Sequence, residues 1–236
     1  MPTALVTGGA VRIGRSIALH LAERGYNIAL HYWSSKESAE QTAEELRKFN
    51  IQCKIYCVDF TNFGSISLLM NQVLEDFNSI DLLINSAANF IQKNIEKTSD
   101  LELLDTININ LMAPFILMRE FKNKVNKGLI INILDERILR RVSTFSAYSI
   151  SKSALAHLTE LSAVSWGETI RVNGIAPGLI LSPSGSSDYL KKRAPNIPTK
   201  THGSTSDILR GLDYLLDSSF VNGEILFIDG GESKKR

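Results

Sequence analysis

Apolar and polar positions along this chain fall into two alternating rhythms. Short apolar runs recur at Thr3–Thr7 (TALVT), Asn27–Tyr32 (NIALHY), Cys53–Val58 (CKIYCV), Asp81–Asn89 (DLLINSAAN), Leu129–Leu134 (LIINIL), Ile170–Ala176 (IRVNGIA) and Glu224–Asp229 (EILFID). Most are apolar at consecutive positions, the pattern of strands buried on both faces. Between them lie stretches with helical spacing: Arg12–Arg24, Lys36–Phe49, Phe63–Phe77, Leu101–Lys122, Ser146–Trp166 and Ser206–Ser218. Strict alternation of strand and helix predicts a Rossmann-like, doubly wound α/β fold, with a seven-stranded parallel sheet and helices on both faces. Ligands of such sheets bind at the carboxyl ends of the strands. The segment 181–204, rich in Ser, Pro and Lys, breaks the rhythm and is expected to be an irregular lid over the substrate.

Composition narrows the class. The 236 residues suit one α/β domain spanning 1–236, without linker or internal repeat. A net charge of +1 argues against nucleic acid as a partner, and the short basic clusters Arg140-Arg141, Lys191-Lys192-Arg193 and Lys234-Lys235-Arg236 read as solvated edges. Cys53 and Cys57, four apart in a strand, would be about 13 Å apart on one face, too far for a disulfide. Both are expected to be buried thiols in a reducing, cytoplasmic setting. The four histidines show no metal-ligand spacing. No apolar run is expected to cross a membrane, and no signal peptide precedes the first strand.

Candidate chemistry collects at the strand ends. Thr7-Gly8-Gly9-Ala10-Val11-Arg12-Ile13-Gly14 follows the first strand and opens a helix. Glycines there let backbone approach a pyrophosphate, and a helix start offers free N–H groups to the anion. The second strand ends in Tyr32, Trp33, Ser34, Ser35 and Lys36, without the Asp or Glu that usually holds a ribose 2′-hydroxyl. Two hydroxyls, a lysine and Arg12 suit a 2′-phosphate instead, so NADPH is expected over NADH. Ser34 and Ser35 could equally cap the following helix. Asp59-Phe60 ends the third strand near the expected adenine position, and Asp59 could equally be an N-cap. Asn85-Ser86-Ala87 ends the fourth, and Phe90 beside it could stack on a flat heterocycle. Asn108, Asn110 and Pro114 lie inside the helix expected over Leu101–Lys122, where Asn110 and Pro114 are poor helix residues, and such a break can mark a functional place. Asp135 ends the fifth strand, thirteen residues before Tyr148. Tyr148 and Lys152 are four apart and share a helix face. A cation so placed would lower the phenol's pKa and suit it to proton transfer.

Taken together, Thr7-Gly8 with Gly14, Asn85-Ser86-Ala87, Asn110, Tyr148-x-x-x-Lys152, Pro177-Gly178, and Val221-Asn222-Gly223 with Asp229-Gly230-Gly231 resemble the short-chain dehydrogenase/reductase superfamily over nearly the whole chain. The resemblance implies that Tyr148 protonates substrate and that Lys152 binds the nicotinamide ribose and lowers the tyrosine's pKa. It also implies that Asn110 anchors a water relay to Lys152. Arg12 stands where the superfamily has its middle glycine, and Asp135 where it has a serine. Both substitutions resemble the pteridine reductase branch, which includes the bacterial dihydromonapterin reductases. That likeness implies that Arg12 contacts cofactor phosphate and pterin, and that Phe90 stacks on the pterin. Two positions depart from family habit: Ala88 replaces a frequent serine, and Ser86 a usual asparagine.

The expected reaction is NADPH-dependent reduction of a dihydropterin, which could be dihydromonapterin, dihydrobiopterin or dihydrofolate. Tyr148 and Asp135 would serve the ring nitrogen, with Asp135 supplying an acceptor and Tyr148 a donor. The alternatives are a carbonyl reductase acting on 3-oxoacyl thioesters and a silent nucleotide-binding protein. By resemblance, a homotetramer or dimer would pair through the fourth and fifth helices.

Overall fold

The computed structural model describes residues 1–140, 143–182 and 187–235. Its seven strands are β1 (Thr3–Val6), β2 (Asn27–Tyr32), β3 (Cys53–Cys57), β4 (Leu82–Asn85), β5 (Gly128–Ile133), β6 (Ile170–Pro177) and β7 (Ile225–Ile228). They form one sheet in the order β3-β2-β1-β4-β5-β6-β7. Every neighbouring pair is parallel. Chain order reverses direction between β1 and β4, where a crevice opens at the carboxyl ends.

Both faces of the sheet are covered, which is why the strands read as near-continuous apolar runs. Side chains alternate between two cores. Ala4 and Val6 of β1 join a layer with Ile17, Leu21, Leu46 and Leu212. Leu5 between them joins Leu69, Val73, Leu117 and Phe121 on the other face. The helices are α1 (Arg12–Glu23), α2 (Lys36–Arg47), α3 (Phe63–Phe77), α4 (Asp100–Ile107), α5 (Ala113–Lys124), α6 (Ser146–Trp166), α7 (Ser187–Arg193) and α8 (Thr205–Asp217). Ser99 and Glu102 form a capping box that starts α4, and Ser204 and Asp207 one that starts α8.

Four expectations change. The helix expected over Leu101–Lys122 is two α-helices joined by a π-turn at Asn108–Met112. Pro114 has no N–H to give the Asn110 carbonyl four residues earlier, so an α-helical ladder cannot run through this point. The continuous helical run Asp100–Lys124 also has the length and apolarity of a membrane span, contrary to the expectation that no segment would. Its polar interruptions disguise it in the sequence. In the fold, α5 buries Ile116, Leu117, Met118 and Phe121 in the core. The lid segment is less irregular than expected: α7 and a 3-10 turn at Ala194–Asn196 occupy it, with Ile197 buried beneath, while 183–186 lie outside the described residues. Finally, Cys53 is buried but Cys57, at the end of the edge strand β3, is exposed, its Sγ 3.5 Å from the Trp33 carbonyl.

Candidate active site

The site begins with the turn between β1 and α1. Gly8 has φ +62°, and a Cβ there would lie 2.8 Å from the Ala87 Cα. At Gly14 a Cβ would lie 2.2 Å from the Gly8 carbonyl oxygen. Glycine at both positions lets α1 sit directly on the turn and the turn directly on the end of β4. The Thr7 hydroxyl accepts the N–H groups of Ser86 and Ala87 at 3.0 and 3.1 Å, fixing the two strand ends together. Val11 caps α1 without any side-chain acceptor, so the first-turn N–H groups have no side-chain partner. Arg12 holds the left-handed φ of +54° that the family's glycine would adopt freely, and its guanidinium donates to the Ser182 carbonyl at 3.1 Å. Glycine at the crowded positions of the turn, under an open helix start, fits the pyrophosphate of a dinucleotide.

Above this turn lies a cavity of about 530 Å3. Twelve of the residues singled out in the sequence line it: Gly8, Arg12, Ile13, Gly14, Ser86, Ala87, Phe90, Asp135, Tyr148, Lys152, Pro177 and Gly178. A larger, more open hollow of about 670 Å3 beside Phe220 and Val164 holds none of them. Ser34 and Trp33 are exposed at the end of β2, outside the cavity. Ser35 precedes α2 but makes no side-chain cap, so its hydroxyl is uncommitted. Asp59 accepts the Thr61 N–H at 2.9 Å in a local turn, whereas the N-cap of α3 is Asn62. Phe60 is buried against His31, with ring centroids 4.0 Å apart, and Tyr32 is buried too. Asn85 is turned into the interior, where its Nδ2 donates to Asn132 Oδ1 at 2.8 Å. Of Phe60 and Asn85, only the backbone is left to meet a cofactor.

Asp135 and Tyr148 meet at the mouth. The Tyr148 hydroxyl donates to Asp135 Oδ2 at 3.0 Å. Phe90 lies between Phe145, stacked at 4.8 Å, and Tyr148, edge-on at 4.7 Å, with half its surface exposed. Lys152 is buried behind the phenol, 5.9 Å from its ring centre, and donates to the Ile133 carbonyl at 2.6 Å. Burial brings its pKa down to about 8. In this structure the tyrosine's shift comes from groups other than the lysine. Burial, then the adjacent Asp135 carboxylate, push the Tyr148 phenol well above its ordinary value. Tyr148 is therefore held protonated, as a proton donor requires.

Asn110 is wholly buried in the π-turn and does not line the cavity. Its amide accepts the Asn89 N–H at 2.7 Å and donates to the Asn89 carbonyl at 2.9 Å and to Ser151 Oγ at 3.0 Å. Ser151 in turn donates to the Tyr148 carbonyl at 2.7 Å. Asn110 thus fixes the chain after β4 to the helix that carries Tyr148 and Lys152, without a direct bond to Lys152.

Sequence reasoning missed six further groups, two of which, Arg140 and Arg193, it had read as parts of solvated edges. Arg137 donates from its backbone N–H to Asp135 Oδ1 at 2.9 Å and from its guanidinium to both carboxylate oxygens at 3.0 Å. Glu136 and Glu232 share Arg140, at 3.1 and 2.7 Å, and Glu232 also binds Arg193 of α7 at 2.9 Å. Burial and the nearby Glu232 raise Glu136 to about 7. Tyr189, from α7, lines the outer wall with Arg193 and Glu232. The run Asp135-Glu136-Arg137 was the one available signal, since an arginine two residues from an acid can fold back on it.

The family model described as enoyl-(acyl carrier protein) reductase matches residues 9–233. The chain belongs to this family of short-chain dehydrogenases/reductases. A 3-oxoacyl-[acyl-carrier-protein] reductase FabG from Staphylococcus aureus is 30% identical over 240 residues, covering 97% of both chains. A FolM alternative dihydrofolate reductase 1 from Brucella suis, solved in complex with NADP, superposes with a TM-score of 0.93 at 26% identity, covering 100% of this chain and 96% of that one. An NAD+-bound xylitol dehydrogenase superposes with a TM-score of 0.88 at 27% identity, covering 98% of each chain. The protein is thus an oxidoreductase of the short-chain dehydrogenase/reductase type, using a nicotinamide dinucleotide.

Proposed function

We propose that this short-chain dehydrogenase/reductase reduces dihydropterins with NADPH. The observation that carries the reading is the Tyr148 hydroxyl bound to the Asp135 carboxylate at 3.0 Å, beside the half-exposed Phe90 ring. A flat heterocycle can lie against Phe90, with its ring nitrogen presented to the phenol. The FolM structure supports this substrate class at the level of the fold. The absence of an acid after β2, the uncommitted Ser35 hydroxyl and the exposed Lys36 favour a 2′-phosphate, hence NADPH. When bound, the cofactor supplies hydride. Gly8, Ile13 and Gly14 would meet its pyrophosphate and Lys152 its ribose. Tyr148 delivers the proton, and Asn110 keeps α6 in place.

The second reading, reduction of a 3-oxoacyl thioester, is favoured by the FabG relative. The two are separated by following NADPH oxidation with dihydromonapterin, dihydrobiopterin, dihydrofolate and an acetoacetyl thioester side by side. Turnover on pterins and none on the thioester is expected; the opposite result overturns the proposal. On the substrate that turns over, Tyr148→Phe should lower kcat by about 10²- to 10⁴-fold while NADPH binding is kept.

The exposed apolar side chains Leu101, Leu104 and Phe115 on α4 and α5, with Ile150, Leu161 and Val164 on α6, support pairing of copies through these helices.

A further inference from the structure

Arg137 is the group at the mouth for which the reaction described above has no use. It reaches Asp135 with one backbone and two guanidinium contacts, and its side chain and that of Asp135 are each only 13% exposed. Its guanidinium carbon lies 4.7 Å from the centre of the Phe145 ring and 5.8 Å from that of Phe90. Three directions are therefore fixed at once: the carboxylate below, and two aromatic faces beside it. With the phenol added, Asp135 accepts four hydrogen bonds, the number its two oxygens can take. Burial alone would lower the pKa of Arg137, but Asp135 and Glu136 outweigh it and hold the guanidinium charged.

The chemistry explains why a cation is needed there. When the Tyr148 O–H bond breaks, its proton forms a new bond to the substrate atom that reduction leaves basic. The phenolate oxygen left behind then lies against the Asp135 carboxylate, at the 3.0 Å of the present hydrogen bond. Two anions in a buried site repel strongly. Among the described residues, the charged groups facing this pair are Arg137 and Glu136 from the same loop and Lys152 from α6. Glu136 adds to the repulsion when it is ionised. Lys152 gives one of its three N–H groups to the Ile133 carbonyl and lies 5.9 Å from the centre of the phenol ring, without a hydrogen bond to Asp135 among the described residues. Arg137 is the cation in contact with the carboxylate itself. After transfer, water returns a proton to the phenolate and restores the starting state.

We propose that Arg137 is a positioning residue for proton transfer: it aims Asp135 Oδ2 at the Tyr148 hydroxyl and offsets the negative charge that builds there as the proton leaves. The inference rests on Tyr148 as proton donor and holds for a pterin or a carbonyl substrate alike.

The test compares the wild type with Arg137→Met, which removes charge and donors, Arg137→Gln, which keeps a donor without the charge, and Arg137→Lys, which keeps the charge without the planar fork. Each is assayed with NADPH against a dihydropterin and an acetoacetyl thioester. With whichever substrate turns over, kcat should fall at least tenfold in Met and Gln, with the KM for NADPH within twofold. Lys should recover part of the loss. The solvent deuterium isotope effect on kcat should grow in Met and Gln, because proton transfer becomes slower; a purely structural role leaves it unchanged. If Met does not fold, Gln and Lys decide. A kcat within twofold of wild type in Gln, or an unchanged isotope effect, overturns the proposal. If the wild type reduces neither substrate, the proposed function fails on its own. Arg137 is then judged from crystal structures of the Met or Gln variant, where Asp135 still bonded to Tyr148 counts against it.

Discussion

Gly8 gives its backbone N–H to Nδ1 of His31 at 3.2 Å, while the other ring nitrogen of that histidine, Nε2, meets the Val58 carbonyl at 3.0 Å. The imidazole thus joins the cofactor turn after β1 to the ends of β2 and β3. To accept from Gly8 it must be neutral at Nδ1 and carry its proton on Nε2. Burial enforces the same state, bringing His31 down to about 4.

This gives a signed pH dependence. The folded pKa of His31 lies below the ordinary histidine value of 6.5. The unfolded chain therefore binds more protons between those two values, and stability is lost as pH falls through that window. The contribution is roughly 3 kcal/mol. Glu136, raised to about 7, acts oppositely in an overlapping range, so the test must be differential. Chemical unfolding of wild type and His31→Gln between pH 7 and pH 4 should show the wild type's advantage shrinking as pH falls. A constant difference would contradict the assignment.

Asn110→Ala should be costly without touching the cavity. It removes one buried and two part-buried hydrogen bonds and leaves the Asn89 backbone and Ser151 short of partners. A loss of about 3 kcal/mol is expected, or a fall in Tm of roughly 6–12 °C for a domain of this size. Scanning calorimetry measures it. An unchanged Tm would mean that water replaces the amide.

An acid after β2 should disfavour NADPH relative to NADH. Ser35→Asp places a carboxylate where the hydroxyl now has no partner, at an N-cap position that favours Asp. The KM for NADPH should rise at least about tenfold through repulsion of a 2′-phosphate, while that for NADH stays level or falls. Steady-state kinetics with both cofactors decide it. An unchanged KM for NADPH would place the 2′-phosphate away from Ser35.

Periodicity alone was enough for the sheet, because strands buried on both faces must be apolar at nearly every position. It was enough for α6 as well, whose bounds Ser146–Trp166 agree with the spacing. The glycine turn was legible because only glycine tolerates the contacts at Gly8 and Gly14, and Asp135 and Tyr148 because each stands at an element's end facing the same crevice. The π-turn was legible only as an anomaly: Asn110 and Pro114 mark a broken helix without saying how it breaks.

What the tertiary structure decided were interactions between distant segments. Whether Lys152 or Asp135 governs the phenol depends on which lies against its oxygen, and i,i+4 spacing is silent about that. Asn85 ends β4 as expected, whereas Phe60 lies three residues beyond the end of β3, and the packing turns both side chains inward. Glu232 binds Arg140 and Arg193 across 92 and 39 residues of chain, a pairing that no local pattern encodes. Sequence determines the local rhythm and supplies the chemical groups. Their charges and partners are set by which of them the fold places within hydrogen-bonding distance, since both burial and Coulomb energy depend on that placement.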